Sequence, residues 1–180
     1  MVTVLLSLLI QPAFAADVAG VKLAETIESG GQQLQLNGYG IRKKLFFKIY
    51  VGSLYTAQPA SSSDQVINGA GGKLIRMNFL YSKVEKEKII DGFAEGIKKN
   101  SPELVKDPAV ISFLGWFDAD FIEGDQVDLA ISADGTVSAN HNNRSLGTLK
   151  SPALARGVLL IYLGNHPADS DMKKGMLGKY

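Results

Sequence analysis

The 180-residue chain has no cysteine. That excludes a disulfide framework, a thiolate nucleophile and cysteine-ligated zinc. Histidine is nearly absent too: His141 and His166 stand far apart with no i, i+4 partner. A zinc site needs three or four ligands, so no metal site is indicated, and both read as loop or capping residues. Charge of one sign is missing. The net charge is +1 and basic residues are scattered among acidic ones, whereas a nucleic-acid binder shows a basic stripe. No repeat, low-complexity tract or long linker interrupts the chain, and 46% hydrophobic residues suit one folded domain with a proper core.

Catalytic and cofactor signatures are sparse. There is no G-x-S-x-G elbow. Ser170-Asp171-Met172-Lys173 matches S-x-x-K, but its companion motifs S-D-N and K-T-G are missing, so a helix start is the simpler reading. "DADFIEGD" (118–125) carries four acids without the spacing of a calcium loop and reads as a solvated turn. Gly38-Tyr39-Gly40 lacks the third glycine and the β-α unit of a dinucleotide fingerprint. Asn143-Arg144-Ser145 matches a glycosylation acceptor, which matters only in a eukaryotic secretory path. No cofactor is expected.

The first fifteen residues, MVTVLLSLLIQPAFA, carry no charge. An apolar run from Val2 to Ile10 leads to Ala13-Phe14-Ala15, an A-x-A site. The run is too short to span a bilayer. It reads as a signal peptide cleaved after Ala15, which makes the mature protein periplasmic or secreted. The mature chain, residues 16–180, has no second apolar stretch of transmembrane length.

Residues 21–56 read as strands, with "QQLQLNG" half-buried and "LFFKIYVGSLY" central. Residues 58–72 read as loop with one short helix. "KLIRMNFLY" (73–81) places Ile75, Met77, Phe79 and Tyr81 on one face. The period then changes. Ser82-Lys83-Val84-Glu85 reads as a capping box, and Ile90, Phe93, Ala94 and Ile97 follow at helical spacing up to the stop at Asn100-Ser101-Pro102. A second helix is expected from about Pro108 to Phe117. Short antiparallel strands around the Asp134-Gly135 turn come next. Ser151-Pro152 opens a helix through Leu163, closed by Gly164, and a last helix is expected within 169–177. This order describes an α+β fold with a mostly antiparallel sheet.

One charge stands out. Arg42 sits at the mouth of the apolar run "GYGIRKKLFFKIYVGSLYT". Arginine presents a planar fork that matches a carboxylate and stays charged at any relevant pH. If the strand is continuous, Arg42, Phe46 and Tyr50 share one side, and Phe47 and Ile49 the other. An anion-headed, greasy-tailed pocket is one reading. An exposed arginine paired with a nearby acid is the other.

"NGYGIRKKLFFKIYVGSLYT", the 73–100 strand-helix segment and the C-terminal L-G-x-x-P-x-D-x-x-x-K-x-x-x-L-G, in that order, resemble the chalcone isomerase-like superfamily, closest to its exported bacterial branch. The resemblance covers about Val21 to Gly178. It implies a large antiparallel β-sheet with a layer of α-helices on one face and a ligand cleft between them. The superfamily holds chalcone-cyclising enzymes, fatty-acid-binding members and non-catalytic members. The enzymes' arginine falls at Arg42. Their nearby threonine falls at Tyr50. Their catalytic tyrosine falls within "NSPEL" (100–104), which has none, and a hydroxylated residue of the penultimate helix falls near Ile161. With most of that hydroxyl set missing, the resemblance implies a non-catalytic binder of a small amphipathic carboxylate or aromatic ligand, such as a fatty acid. Arg42 is the expected anchor, Tyr50 a hydrogen-bond partner, and Phe46, Phe47 and Ile49 the expected walls. Tyr81 and Tyr55 are candidates to replace a lost hydroxyl. A chalcone-type isomerase, an intramolecular lyase, is the first alternative. A protein-interaction domain with a filled core is the second.

Overall fold

The computed structural model describes residues 14–179. Residues 1–13 of the expected leader lie outside them. Strand β1 (Phe14–Val18) pairs with β2 (Val21–Ala24) in a two-stranded ribbon. The main sheet has seven strands, antiparallel throughout: β3 (Thr26–Ser29), β4 (Gln32–Lys44), β5 (Phe47–Thr56), β6 (Lys73–Phe79), β9 (Gln126–Ile131), β10 (Thr136–His141) and β11 (Arg144–Lys150). Its spatial order is β11-β10-β9-β6-β5-β4-β3. Between β6 and β9 the chain makes β7 (Lys83–Val84), α2 (Lys86–Asn100), a 3-10 turn (Pro102–Leu104), α3 (Pro108–Leu114) and β8 (Phe121–Ile122). Helix α1 (Ser63–Asn68) links β5 to β6, and α4 (Pro152–Leu163) and α5 (Ser170–Met176) end the chain.

The alternation of β6 and β9 decides where the core lies. Ile75, Met77, Phe79, Val127, Leu129 and Ile131 face the helices and join Phe93, Ile97, Val158, Ile161 and Tyr162 in the main core. The other sheet face carries a small cluster of Leu34, Tyr55 and Leu74. There Arg76 forks onto Asp128 at 2.7 and 2.8 Å, and the Tyr55 hydroxyl donates to the Ala24 carbonyl at 3.1 Å. Arg76 is paired and hydrogen-bonded, which is what lets it sit half-buried.

Three expectations change. The Ser82–Glu85 capping box does not form. Lys83-Val84 is instead drawn into an antiparallel pair with Phe121-Ile122, so α2 starts at Lys86. Its first N–H donates at 3.0 Å to the Asp120 carboxylate, supplied from the far side of that pair. The buried stripe of α2 is Ile89, Phe93, Gly96 and Ile97. Helix α3 ends at Leu114, earlier than its apolar pattern suggests. The long run 32–56 is a hairpin, turning at Leu45-Phe46.

Candidate functional site

Helix α5 lies flush on β4. A Cβ at Gly38 would fall on the Gly175 carbonyl oxygen, and one at Gly40 would come within 2.5 Å of the Met172 Cα. Only glycine permits this approach, which explains the G-Y-G motif without any nucleotide. The close contact sets the loop before α5. Asp169 caps that helix, accepting from the Asp171 and Met172 N–H groups at 3.0 and 2.9 Å. It also accepts from the Lys43 backbone N–H at 3.1 Å. One residue earlier, the Ala168 carbonyl accepts from Arg42 Nη1 at 3.0 Å. Two of the segments that carry the family resemblance, the first and the last, therefore meet at Arg42.

Arg42 is half-buried, and among the described residues it forms no ion pair. The reading of a strand-end arginine paired with an acid is not what the structure shows. Its guanidinium stands 6.0 Å from the centre of the Tyr50 ring. The two are cross-strand partners, Arg42 on β4 opposite Tyr50 on β5. They do not share one continuous strand. The next pair is Lys43 with Lys48, so Ile49 is an extra residue in β5. Such a bulge re-aims side chains, and Ile49 and Tyr50, though adjacent in sequence, both reach the same cleft.

That cleft lies between the β4–β5 end of the sheet and the helices, with a volume of about 340 Å³. Its apolar lining is Ile49, Tyr81, Val84, Ile89, Phe93 and Ile161. Arg42, Lys44, Lys83 and Lys88 bring positive charge to it, with Glu85 the one acid. The filled core of the interaction-domain alternative is not observed.

Phe46 and Phe47 are not cleft walls. Phe46 is 97% exposed at the hairpin turn. Phe47 is 53% exposed and packs edge-on against Tyr81, ring centres 5.3 Å apart. Tyr55 faces the opposite side of the sheet. Residues 100–104 do not line the cleft. The residue sequence reasoning missed is Tyr162, one position beyond the hydroxyl-free Ile161. It is buried and lines the cleft. The signal available was its i+4 spacing from Val158.

Polar groups cluster where Arg42 meets the core. Tyr50 lies beside Arg42 and Tyr162, both of which act to lower its pKa, and the Tyr162 O–H donates to the Met77 sulfur at 3.3 Å. Burial raises the Tyr50 pKa, partly opposed by the Arg42 charge. Burial and the neighbouring Tyr50 raise that of Tyr162 well above the ordinary value, again against Arg42. Both phenols are neutral at physiological pH. Among the described residues no cluster of three or more His, Asp or Glu side chains could hold a metal ion, and no helix is long and apolar enough to cross a membrane.

A search of curated protein sequences gives no significant match. Among solved structures, a fatty-acid binding protein of Arabidopsis thaliana is similar at a TM-score of 0.70 and 19% identity, over 88% of this chain and 92% of that one. At that identity the likeness concerns the fold, and it agrees with the sheet-and-helix architecture above. A sequence-family profile described as chalcone isomerase-like matches residues 15–178, and the chain therefore belongs to the chalcone isomerase-like family.

Proposed function

We propose that this protein is a non-catalytic binder of a small carboxylate with an apolar tail, a fatty acid of medium length being the best fit. The observation that carries the reading is Arg42: a half-buried cation without an acid partner among the described residues, held by a neutral carbonyl in the lining of an apolar cleft. The similar plant structure is titled a fatty-acid binding protein, which supports the same class of ligand. At roughly 30 Å³ per water-sized group, the 340 Å³ cleft takes a tail of roughly ten carbons. Each buried CH₂ contributes about 0.8 kcal/mol, and the guanidinium fixes which end enters last. We further propose that residues 1–15 direct export, so that binding takes place in the periplasm or outside the cell.

Native mass spectrometry of the purified protein, with organic extraction, tests this beside Arg42→Ala. The expected outcome is a co-purifying carboxylate that the variant loses. Isotherms with decanoate should weaken by about 1.5–3 kcal/mol, the range for a hydrogen bond to a charged group. Equal binding by both proteins would remove Arg42 from the site.

A second reading, cyclisation of a phenolate in the manner of an intramolecular lyase, draws support from Tyr81 and Arg42 lining one cleft. Against it, the Tyr162 proton is committed to the Met77 sulfur, leaving few donors for a developing oxyanion. A progress curve with chalcone, compared with Arg42→Ala, separates the readings: turnover abolished in the variant would establish the enzyme.

A further inference from the structure

The β4–β5 hairpin tip is built unlike the rest of the surface. Leu45 is 83% exposed and Phe46 97%, and neither is covered by any other part of the described chain. Leu45 has φ +56°, a region bulky side chains rarely adopt. The turn has no glycine, asparagine or aspartate to ease it. Residues 42–48 read R-K-K-L-F-F-K, four cations and no acid, in a chain whose net charge is only +1. Among the described residues the ammonium groups of Lys43, Lys44 and Lys48 form no ion pair. An apolar prow inside a ring of unpaired lysines is the arrangement of an interfacial anchor: apolar groups enter the acyl boundary while long cationic stems reach back to the headgroups.

We infer that this tip docks on the surface of an anionic phospholipid bilayer, with Leu45 and Phe46 inserted and Lys43, Lys44 and Lys48 on the headgroups. The charge decides among occupants. A second copy would bring like-charged rings face to face, and a tip of three apolar side chains falls far short of the roughly 800 Å² per partner of a stable protein interface. An anionic lipid surface attracts every cation present and needs only a shallow insertion. The tip also adjoins the cleft, since Lys44 lines it and Phe47 packs on the lining residue Tyr81. Docking would therefore set the cleft beside the membrane. The inference itself does not depend on what the cleft holds.

The test is flotation with vesicles of phosphatidylglycerol and phosphatidylcholine in equal parts, against vesicles of phosphatidylcholine alone. The protein should float with the first, release with added salt and ignore the second. Each lysine near an anionic surface raises partitioning about fivefold, so Lys43→Gln with Lys44→Gln and Lys48→Gln should lower it about a hundredfold. Phe46→Ser should lower it roughly tenfold, without changing the melting temperature, because the side chain is already in water. Decanoate binding in solution should be unaltered in Phe46→Ser, which separates this surface from the cleft. Failure to float with the anionic vesicles would overturn the proposal. So would flotation unaffected by the tip variants, or a solution dimer that Phe46→Ser dissolves.

Discussion

Gly92 offers a way to change the cleft without touching its charge. It lies on α2, on the stripe that lines the cleft beside Ile89 and Phe93. A Cβ placed there meets no atom within 4 Å. Two effects of substitution then have opposite signs. Glycine inside a helix costs about 1 kcal/mol relative to alanine, so Gly92→Ala should stabilise by about that much, raising Tm by about 2–4 °C for a domain of this size. Leucine is nearly as good a helix former, but it adds four carbons. At roughly 30 Å³ each, they occupy about a third of the 340 Å³ cleft. The assay is a series of isotherms with saturated acids of increasing length. In the wild type, affinity should rise about fourfold per CH₂ and level off near ten carbons. In Gly92→Leu the plateau should come about four carbons sooner. The ten-carbon acid then loses about 3 kcal/mol, roughly 200-fold in Kd, while a six-carbon acid binds as before. A destabilised protein that binds poorly would be uninformative in most such experiments. Here stability should rise as long-chain binding falls. A stabilised Gly92→Leu with an unchanged chain-length profile would refute the assignment of the tail to this cleft.

Other substitutions probe what holds the site. Gly40→Ala forces a methyl onto the Met172 backbone and should cost about 2–3 kcal/mol by chemical denaturation; decanoate binding should fall with it, because α5 positions the carbonyl that holds Arg42. The raised pKa values of Tyr50 and Tyr162 imply stability that is complete below the ordinary phenol value of 10.0 and is lost as pH rises beyond it. Their phenolate absorbance should accordingly appear only on alkaline unfolding, and Tyr162→Phe should cost about 1 kcal/mol by removing the hydroxyl that donates to the Met77 sulfur. Burial alone would raise the Asp125 pKa, but the Ile122 N–H, the Asn142 amide and His141 together hold it below the usual value. Its stabilisation is present above about pH 4 and lost as pH falls through the depressed value. Melts from pH 2 to 7 should show a shallower acid limb in Asp125→Asn, with about 1–3 kcal/mol less stability at neutral pH.

How far the molecule can be read from its residues depends on whether the cause is local. Helix α4 is legible because every signal lies within it: the Ser151 hydroxyl accepts from the Leu154 N–H at 3.2 Å, Pro152 sits in the first turn, and Gly164 follows the last. The faces of β6 are legible because alternation is a property of one strand. The capping box at Ser82 fails because its rival, the pairing with Phe121-Ile122, comes from about forty residues away. The hairpin at Leu45-Phe46 has no turn residue to announce it. The only hint is length, since 25 residues from Gln32 to Thr56 exceed any ordinary strand. Whereas the hairpin turn leaves both Phe46 and Phe47 exposed, a continuous strand puts them on opposite faces. It also puts Arg42 and Tyr50 on one side, but eight residues apart along the strand; the antiparallel pairing is what sets them opposite each other. Tyr162 was one helical position from the residue under scrutiny, and a one-residue offset turns a helix by about 100°. The close packing behind Gly38 and Gly40 depends on where α5 lands, which no window around residue 40 contains.

The way Arg42 is held bears on what it can do. An arginine oriented by a carboxylate is already neutralised, and an anionic ligand must displace or share that partner. Here the orienting group is a backbone carbonyl, which fixes the fork while leaving its charge in place. A guanidinium has five N–H donors. The Ala168 carbonyl occupies part of that fork on the side of the fold, and the rest is available to a bound anion. The loop that carries Ala168 is itself tightly fastened: Lys173 Nζ donates to the Gly164 carbonyl at 2.9 Å, and Asn100 bonds both the N–H and the carbonyl of His166 at 2.9 Å. Those ties join α2, α4 and α5 around one short segment. An unpaired, half-buried cation is unfavourable in the free protein, and a fold that spends this many contacts on orienting one is preorganised for an anion that arrives from outside.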